Sequence, residues 1–344
     1  MDVLIVKIGA IGDAVMALGA ANWLKINDPS TRITWVAGSK IVPLLHSTNI
    51  IDSIIIVNED ILFGSSRLNA MKEVFCLWRK LSGTHYDLAV IGHKDKRYKT
   101  LIFPVRCRDV RMLGLVNGRQ NPVPGRYHGD ELLRLVSGVD SHSMPSHSFP
   151  ALSIDPPDEA TLQRLGPKDR PWIILFPGSA KNHLREDPLR RWPIHSYVDL
   201  SCLLLEKGYQ VILSGAKSDF WVCDYFRSKK IDVVDMIGKT DFNALLWIIS
   251  CSDVVVAHDS GPMHLAILLQ KKILALFGPT NPEEKLPRDY SPGLVILRNG
   301  SCLPCSPCYD GKNYADCDKN LCMENIFVKD AEIAIGELLL RRDL

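Results

Sequence analysis

The chain has 344 residues, 46% of them hydrophobic, and this length predicts two domains or one large one. Its formal net charge of only +2 at pH 7 argues against a general polyanion binder. No uninterrupted apolar run reaches about 18 residues, which argues against a transmembrane helix. The N-terminal sequence MDVLIVKIGAIGD lacks the basic region and cleavage site of a signal peptide, so we expect a cytoplasmic protein.

The first half of the chain alternates predicted strands with helical stretches. Strands are predicted at residues 3–7, 33–37, 54–57 and 87–91, and helical stretches at residues 14–27, between the third and fourth strands up to Leu81, and at 127–136. This alternation favours a parallel sheet covered by helices on both faces. The turn after the first strand contains Gly9, Gly12 and Asp13, but it matches neither a G-x-G-x-x-G dinucleotide pattern nor a P-loop.

Residues 141–157 are rich in proline and serine, as is typical of an interdomain linker. A second alternation follows, with strands at residues 173–176, 210–214, 254–256 and 273–277, and helices at 194–207, 220–229, 242–250, 263–269 and 331–342. We therefore predict an N-terminal Rossmann-like domain at residues 1–160, a C-terminal one at 161–330, and a C-terminal helix at 331–344. Two such halves are expected to face each other across a cleft.

The most informative stretch is residues 254–280, VVVAHDSGPMHLAILLQKKILALFGPT. A short apolar strand leads through the polar turn HDSGP into an apolar helix, and ligands of open α/β sheets bind at the carboxyl ends of strands. The N-terminus of a helix there suits an anionic group, above all a phosphate. Asp259 in this turn is alternatively an N-cap with a purely structural role.

HDSGPMHLA followed by ALFGPTNP resembles the signature of the lipopolysaccharide heptosyltransferases, glycosyltransferase family 9. The resemblance extends to the first loop and to the segment around Trp192-Pro193. It implies an α/β protein of the GT-B architecture, which has two Rossmann-like domains. The nucleotide-sugar donor would bind to the C-terminal half and the acceptor to the N-terminal half.

The resemblance also implies the reaction. A heptose would move from ADP-L-glycero-D-manno-heptose to the phosphorylated inner core of lipopolysaccharide, with inversion. Separately, we expect the transfer to require no metal cofactor. Asp13 would deprotonate the acceptor hydroxyl, although an acid in the first turn of a helix needs no functional explanation. Gly12, which precedes it, is assigned to substrate binding. The alternatives are a transferase of the same fold with another nucleotide sugar, a sugar-nucleotide epimerase, and a non-catalytic nucleotide-sugar-binding protein.

Residues 176–193, FPGSAKNHLREDPLRRWP, form a basic loop after a predicted strand. Clustered cations with a small residue beside them suit a pyrophosphate, and a basic surface loop is the alternative. The family pattern has a lysine two residues before Trp-Pro, where this chain has Arg190, so the charge is kept and the geometry changes. We assign Arg190 a catalytic role in stabilising the leaving group, and substrate binding to Ser179, Lys181 and Arg191.

The remaining predicted binding residues follow the later strands. Asp219 matches an acid that lies near the nucleotide ribose in the family, and capping of a helix is an equally good explanation. The resemblance implies that the backbone N–H groups of Ser260 and Gly261 contact phosphate and that Asp259 contacts the donor sugar. His264 is either a ligand contact or a core or capping histidine.

Five of the ten cysteines lie near the end of the chain with the spacing C-x2-C-x2-C-x8-C-x4-C. This spacing suits a structural zinc or iron site, and free or redox-labile thiols are the alternative. The candidates for metal ligands are Cys305, Cys308, Cys317 and Cys322, and Cys302 begins the cluster.

Residues 94–126 contain nine arginines and lysines against two aspartates. This patch is either a solvated surface or a face for an acidic partner. An anionic glycolipid or glycan acceptor, or the surface of the inner membrane in a peripheral contact, would fit it. We expect no nucleic-acid partner.

Overall fold

The computed structural model describes residues 1–114, 123–139, 148–178, 186–288, 290, 293–299, 303–310 and 313–341. The chain divides into two compact units, Met1–Ser153 and Ile154–Leu344. The division falls inside the proline- and serine-rich passage at residues 141–157.

The described part of the first unit contains five strands, β1 (Asp2–Val6), β2 (Arg32–Gly38), β3 (Ser53–Val57), β4 (His85–Ile91) and β5 (Arg106–Met112). They form one parallel sheet in the order β3-β2-β1-β4-β5. Its helices are α1 (Ile11–Asn27), α2 (Val42–Ser47), α3 (Glu59–Gly64), α4 (Arg67–Leu81), α5 (Arg97–Thr100) and α6 (His128–Ser137). Parallel neighbours cannot be joined by tight hairpins, so helical crossovers connect them.

In its described residues the second unit has six strands, β6 (Trp172–Phe176), β7 (Gln210–Leu213), β8 (Val234–Asp235), β9 (Val254–His258), β10 (Ile273–Phe277) and β11 (Leu294–Arg298). They form a second parallel sheet in the order β11-β10-β9-β6-β7-β8. Its helices are α7 (Glu159–Leu165), α8 (Ile194–Glu206), α9 (Trp221–Ser228), α10 (Phe242–Cys251), α11 (Gly261–Leu268), α12 (Pro282–Lys285), α13 (Leu321–Glu324) and α14 (Val328–Leu340).

The central strands of both sheets are buried along their whole apolar length. In β1, Leu4 and Val6 are fully buried, and in β9, Val254, Val255 and Val256 are fully buried. A strand that helices cover on both faces needs apolar side chains at successive positions, so these strands show apolar runs and no alternation. Every residue that directly follows such a strand therefore emerges at the carboxyl edge of its sheet.

The predicted alternation of strands and helices is confirmed in both halves, with ends that shift by three residues or fewer. The helical stretch that was predicted to continue to Leu81 is divided into α3 and α4. Three strands escaped prediction, namely β5, β8 and β11. β5 has the charged sequence RCRDVRM and lies at the edge of its sheet with mostly exposed side chains, so it lacks an apolar pattern. β8 has only two residues.

None of the helices in the described ranges combines the length and the apolar character that crossing a bilayer requires.

Candidate active site

In the first unit, Asp13 lies in the first turn of α1, just beyond the carboxyl end of β1. Its side chain is 44% exposed, and its Oδ2 atom lies 3.5 Å from Nζ of Lys7. The N-cap position of α1 is occupied by Ala10, and Gly12 is buried within the helix. An exposed carboxylate at the edge of the sheet is accessible to a substrate hydroxyl, as a general base requires.

Lys7 and His93 lie at the same edge and belong to no sequence motif. The Lys7 ammonium donates a hydrogen bond of 2.8 Å to the carbonyl of Gly92, which follows β4. The backbone N–H of Ile8 donates to Nε2 of His93, and the His93 ring stacks on Tyr98 with ring centroids 3.8 Å apart. Burial and the charge of Lys7 hold the pKa of His93 well below its ordinary value, which suits this acceptor role. The only sequence signal for these residues is their place at the ends of predicted strands.

Glu59 adds a buried carboxylate at the edge of the first sheet. Its Oε1 atom lies 3.5 Å from Nζ of Lys40, which follows β2. A Cβ atom on Gly38 would lie 2.5 Å from the Glu59 Oε2 atom. Glycine at the end of β2 therefore makes room for this carboxylate.

The basic patch at residues 94–126 is partly neutralised within the first unit. Arg119 and neighbouring residues lie outside the described ranges. Among its described residues, the patch forms the ion pairs Arg97–Asp95, Arg111–Asp109 and Arg126–Glu131, at 2.6, 2.8 and 3.3 Å.

In the second unit, Arg190 and Asp259 form an ion pair at the carboxyl edge of the sheet. Arg190 ends a short 3-10 turn, Pro188–Arg190, and its Nη1 atom lies 3.4 Å from Oδ2 of Asp259, directly after β9. Its Nη2 atom lies 3.6 Å from Oδ2 of Asp187. Burial opposes the guanidinium charge, but Asp259, Tyr314 and Asp187 outweigh it, so the pKa of Arg190 is raised. The strands β6 and β9 are neighbours in the sheet, and this pairing brings the two residues together.

Asp259 is ionised although its side chain is only 4% exposed. Burial alone would raise the pKa of Asp259, but His264 and the positive charges of Arg190 and Lys285 outweigh it and lower the pKa well below its ordinary value. The Nε2 atom of His264 lies 3.8 Å from Oδ1 of Asp259. His264 thus lies beside the carboxylate, and its contact with a ligand stays a prediction.

The N-terminus of α11 lies beside this ion pair. Ser260 is the N-cap residue, and its side chain makes no capping bond because its hydroxyl donates to the carbonyl of His258 at 3.0 Å. Gly261 begins the helix, and Pro262 occupies its second position. Backbone N–H groups at such a start attract phosphate oxygens.

Several buried polar atoms at this edge have no hydrogen-bond partner among the described residues. They include both ring nitrogens of His258, Nδ1 of His264, and the hydroxyl oxygens of Ser214 and Thr280. Buried polar atoms are normally paired, so a group of orphaned ones marks a place where a polar ligand or water completes the bonding. His258, Ser214 and Thr280 are not among the site residues predicted from the sequence, although each lies at the end of a strand or shortly after it.

Asp219 is buried between the ends of β6 and β7. Its Oδ2 atom accepts from the N–H of Ala216 at 2.9 Å, which is the capping role, while Oδ1 has no hydrogen-bond partner within the described residues. A Cβ atom on Gly178 would lie 2.3 Å from Cγ of Asp219, and one on Gly215 would lie 2.8 Å from its Oδ2. The two glycines therefore admit this carboxylate, and the ribose contact stays a prediction.

Of the other cations of the basic loop, Arg191 lies within the described residues. Arg191 pairs with Glu186 at 2.6 Å and lies over the ring of Trp221 at 5.3 Å. Ser179 and Lys181, which we predict to bind substrate, lie outside the described residues.

The late cysteines are free thiols in the described part of the chain, and Cys302 lies outside it. Cys322 is buried, whereas Cys305 and Cys317 are exposed. Burial and the neighbouring cysteines raise the pKa of the Cys322 thiol to about 11. Across the described ranges, no group of three or more candidate ligands is arranged to hold a metal ion. The zinc or iron site therefore stays a prediction.

Together, the second unit presents a guanidinium, a buried carboxylate and the start of a helix at one edge, and the first unit presents an exposed carboxylate. The groups of the second unit can bind an anionic diphosphate and orient a sugar. The carboxylate of the first unit can accept a proton.

The family model of Glycosyltransferase family 9 (heptosyltransferase) matches residues 131–317, more than half of the chain. Lipooligosaccharide heptosyltransferase 2 of Haemophilus ducreyi is 26% identical over 328 residues, which cover 88% of this chain and 90% of that protein. Lipooligosaccharide heptosyltransferase 2 of Haemophilus influenzae is 30% identical over 165 residues, which cover 45% of this chain and 46% of that protein, so this match spans less than half of the relative's length.

The fold has a close counterpart among solved structures. The structure of Escherichia coli ADP-heptose lipopolysaccharide heptosyltransferase II matches with a TM-score of 0.72 and 20% sequence identity, over 99% of both chains. This likeness confirms the GT-B architecture of two Rossmann-like domains. The chain belongs to glycosyltransferase family 9, the heptosyltransferase family, and is a glycosyltransferase.

Proposed function

We propose that this protein transfers a heptose from ADP-heptose to a hydroxyl group of the lipopolysaccharide inner core, with inversion at the anomeric carbon. The observation that carries this proposal is the Arg190–Asp259 ion pair beside the N-terminus of α11, among buried polar atoms without partners in the described residues. The relatives above carry the name heptosyltransferase, and the E. coli structure names ADP-heptose.

On the donor side, the second unit receives the diphosphate. The N–H groups of Ser260 and Gly261 bind its oxygens, and Arg190 stabilises the negative charge that develops as the sugar–phosphate bond breaks. Asp259 accepts hydrogen bonds from sugar hydroxyls and holds Arg190 in place. Because protein cations and a helix N-terminus meet the leaving charge, the proposed transfer needs no metal ion.

On the acceptor side, Asp13 acts as the general base. It removes the proton from the acceptor hydroxyl, whose oxygen attacks the anomeric carbon on the face opposite to the leaving diphosphate. The ammonium of Lys7, 3.5 Å away and anchored on the Gly92 carbonyl, orients the carboxylate. The acceptor is anionic in this proposal, and the exposed cations of the first unit favour it.

A peripheral contact with the inner membrane would bring the enzyme to a glycolipid acceptor. Helix α4 exposes Leu68, Met71 and Phe75, which are 72%, 68% and 60% accessible and share one side of the helix. Phe103, 78% accessible, extends this apolar surface, because its ring lies 5.5 Å from that of Trp78. The same helix carries the cations Arg67, Lys72, Arg79 and Lys80. Apolar side chains among cations suit an anionic membrane surface.

Titration calorimetry with ADP, UDP and GDP tests the donor class. We expect ADP to bind most tightly and ADP-heptose to release ADP in the presence of acceptor. Binding of UDP or GDP in preference to ADP would show that the assigned donor is wrong. Transfer should persist in EDTA, and its loss with recovery on adding magnesium would overturn the metal-independent mechanism.

The Asp13→Ala variant tests the general base. Removing such a group should lower kcat roughly 10²- to 10⁴-fold while the affinity for ADP is unchanged. Asp60→Ala is a matched control because it removes an exposed acid from the first turn of α3 in the same unit. Undiminished transfer by Asp13→Ala would exclude Asp13 as the base.

A further inference from the structure

Two tyrosines from the late cysteine-bearing segment surround the head group of Arg190. The hydroxyl of Tyr314 accepts a hydrogen bond of 2.7 Å from Nε of Arg190. The guanidinium carbon lies 5.0 Å from the centre of the Tyr309 ring and 5.9 Å from that of Tyr314. The two rings also contact each other, with centroids 4.8 Å apart.

The contacts use every nitrogen of the guanidinium group. Nε donates to Tyr314, Nη1 faces Asp259, and Nη2 faces Asp187. The Tyr309 ring lies against the guanidinium group and adds a cation–π contact. The side chain is only 17% exposed, so its orientation is fixed from several directions at once.

Backbone hydrogen bonds fix the segment that carries Tyr309. The N–H groups of Cys308 and Tyr309 both donate to the carbonyl of Pro279, at 3.0 and 3.1 Å. The hydroxyl of Ser306 donates to the carbonyl of Gly278 at 3.0 Å. Gly278 and Pro279 follow β10 directly, and β10 pairs with β9, which ends beside Asp259. The tyrosine segment is therefore attached to the same edge of the sheet as the ion pair.

This arrangement gives a physical reason for arginine at position 190. A lysine ammonium carries its three N–H donors on one nitrogen and has no planar face, so it cannot stack on a ring or meet partners from three separated nitrogens. A guanidinium can stack on Tyr309 and bind Tyr314, Asp187 and Asp259 simultaneously. In this chain, Arg190 and the two tyrosines therefore form one cluster of mutually contacting side chains.

We propose that Tyr309 and Tyr314 are positioning residues that hold the Arg190 guanidinium against Asp259 and toward the donor diphosphate. The inference rests on the proposed function, because Arg190 matters for transfer only if it meets the leaving group. The tyrosines act through Arg190 and do not contact the reacting atoms themselves.

A double-mutant cycle tests this dependence. Tyr309→Leu and Tyr314→Phe should each lower kcat about 5- to 30-fold, as expected for the loss of one cation–π contact or one charged hydrogen bond, with little change in KM for the donor. Tyr309→Phe keeps an aromatic face and should retain most of the activity. In the Arg190→Lys background, Tyr309→Leu should cause little further loss.

Tyr225→Leu is the control, because Tyr225 is a half-exposed aromatic residue of the same unit. It should leave kcat unchanged. Additive losses in the double mutant, or an inactive Tyr309→Phe variant, would overturn the positioning role while the transfer reaction stands. If the parent enzyme transfers no sugar from ADP-heptose, the proposed function fails. The same cycle measured as ADP affinity by calorimetry then decides the positioning role, because free ADP carries the charge that develops on the leaving group, and additive losses in affinity would overturn the role.

Discussion

His258 should make the stability of this protein depend on pH in the weakly acidic range. It ends β9, is fully buried, and neither of its ring nitrogens has a hydrogen-bond partner in the part of the chain that the structure describes. Burial, together with the charges of Arg191 and Arg190, lowers the pKa of His258 to about 3. The native protein therefore carries a neutral imidazole at this position.

The size of the effect follows from the difference between folded and unfolded states. In the unfolded chain the imidazole has a pKa of about 6.5 and takes up a proton as the pH falls below that value. The native state does not take up this proton until the pH approaches 3, so stability is complete above about pH 6.5 and is lost as the pH falls. Lowering the pH from about 7.5 to about 5 should cost about 2 kcal/mol of unfolding free energy through this one residue.

The His258→Phe variant removes the titration and keeps a planar ring. Because the native ring nitrogens bond to none of the described residues, the substitution leaves no described partner unsatisfied. Urea unfolding should show that the variant loses about 2 kcal/mol less than the parent between about pH 7.5 and about pH 5. His195→Gln, which changes an exposed histidine of α8, should behave like the parent. Identical pH dependence in His258→Phe and the parent would refute the assignment of a buried neutral imidazole.

Four further outcomes are expected. Gly178→Ala should lower the free energy of unfolding of the second unit by about 1–3 kcal/mol, since the new methyl group would lie 2.3 Å from Cγ of Asp219. Gly336→Ala should raise it by up to about 1 kcal/mol, because the added methyl group meets nothing within 4 Å. Urea unfolding measures both changes. Phe75→Asp should weaken sedimentation with anionic vesicles but not transfer to a soluble acceptor fragment; unchanged sedimentation would exclude α4 as the contact. Protein purified anaerobically should contain about one zinc or iron ion, which Cys322→Ser should remove; metal-free protein with fully reactive thiols would show that the metal prediction is wrong.

The positions of the main strands and helices could be predicted from the sequence, because each depends on neighbours close in the chain. The short β-branched run before His258 predicts a buried strand, and the apolar segment after Pro262 has the length and composition of a helix. The polar turn between them must then lie at the edge of a parallel sheet. The resemblance to the heptosyltransferases added the family, and the comparisons confirmed it.

Edge strand β5 could not be predicted from the pattern of its own residues. Its charged residues resemble a surface loop when the sequence is considered alone, since an exposed strand needs no apolar pattern. Only pairing with β4, through partners such as Ala89 and Val110, makes it part of the sheet.

The composition of the site was decided by tertiary structure. The sequence pattern predicts Arg190 in a loop after one strand and Asp259 at the end of another, but only the pairing of β6 with β9 makes them neighbours. Tyr314 meets Arg190 across 124 residues of chain, and no local pattern marks that contact. The hydrophobic periodicity of a sequence reflects only the position of each residue within its own strand or helix. Which strand ends converge depends on the packing of the whole sheet, and this packing fixes the partners, the burial and hence the charge states of the site.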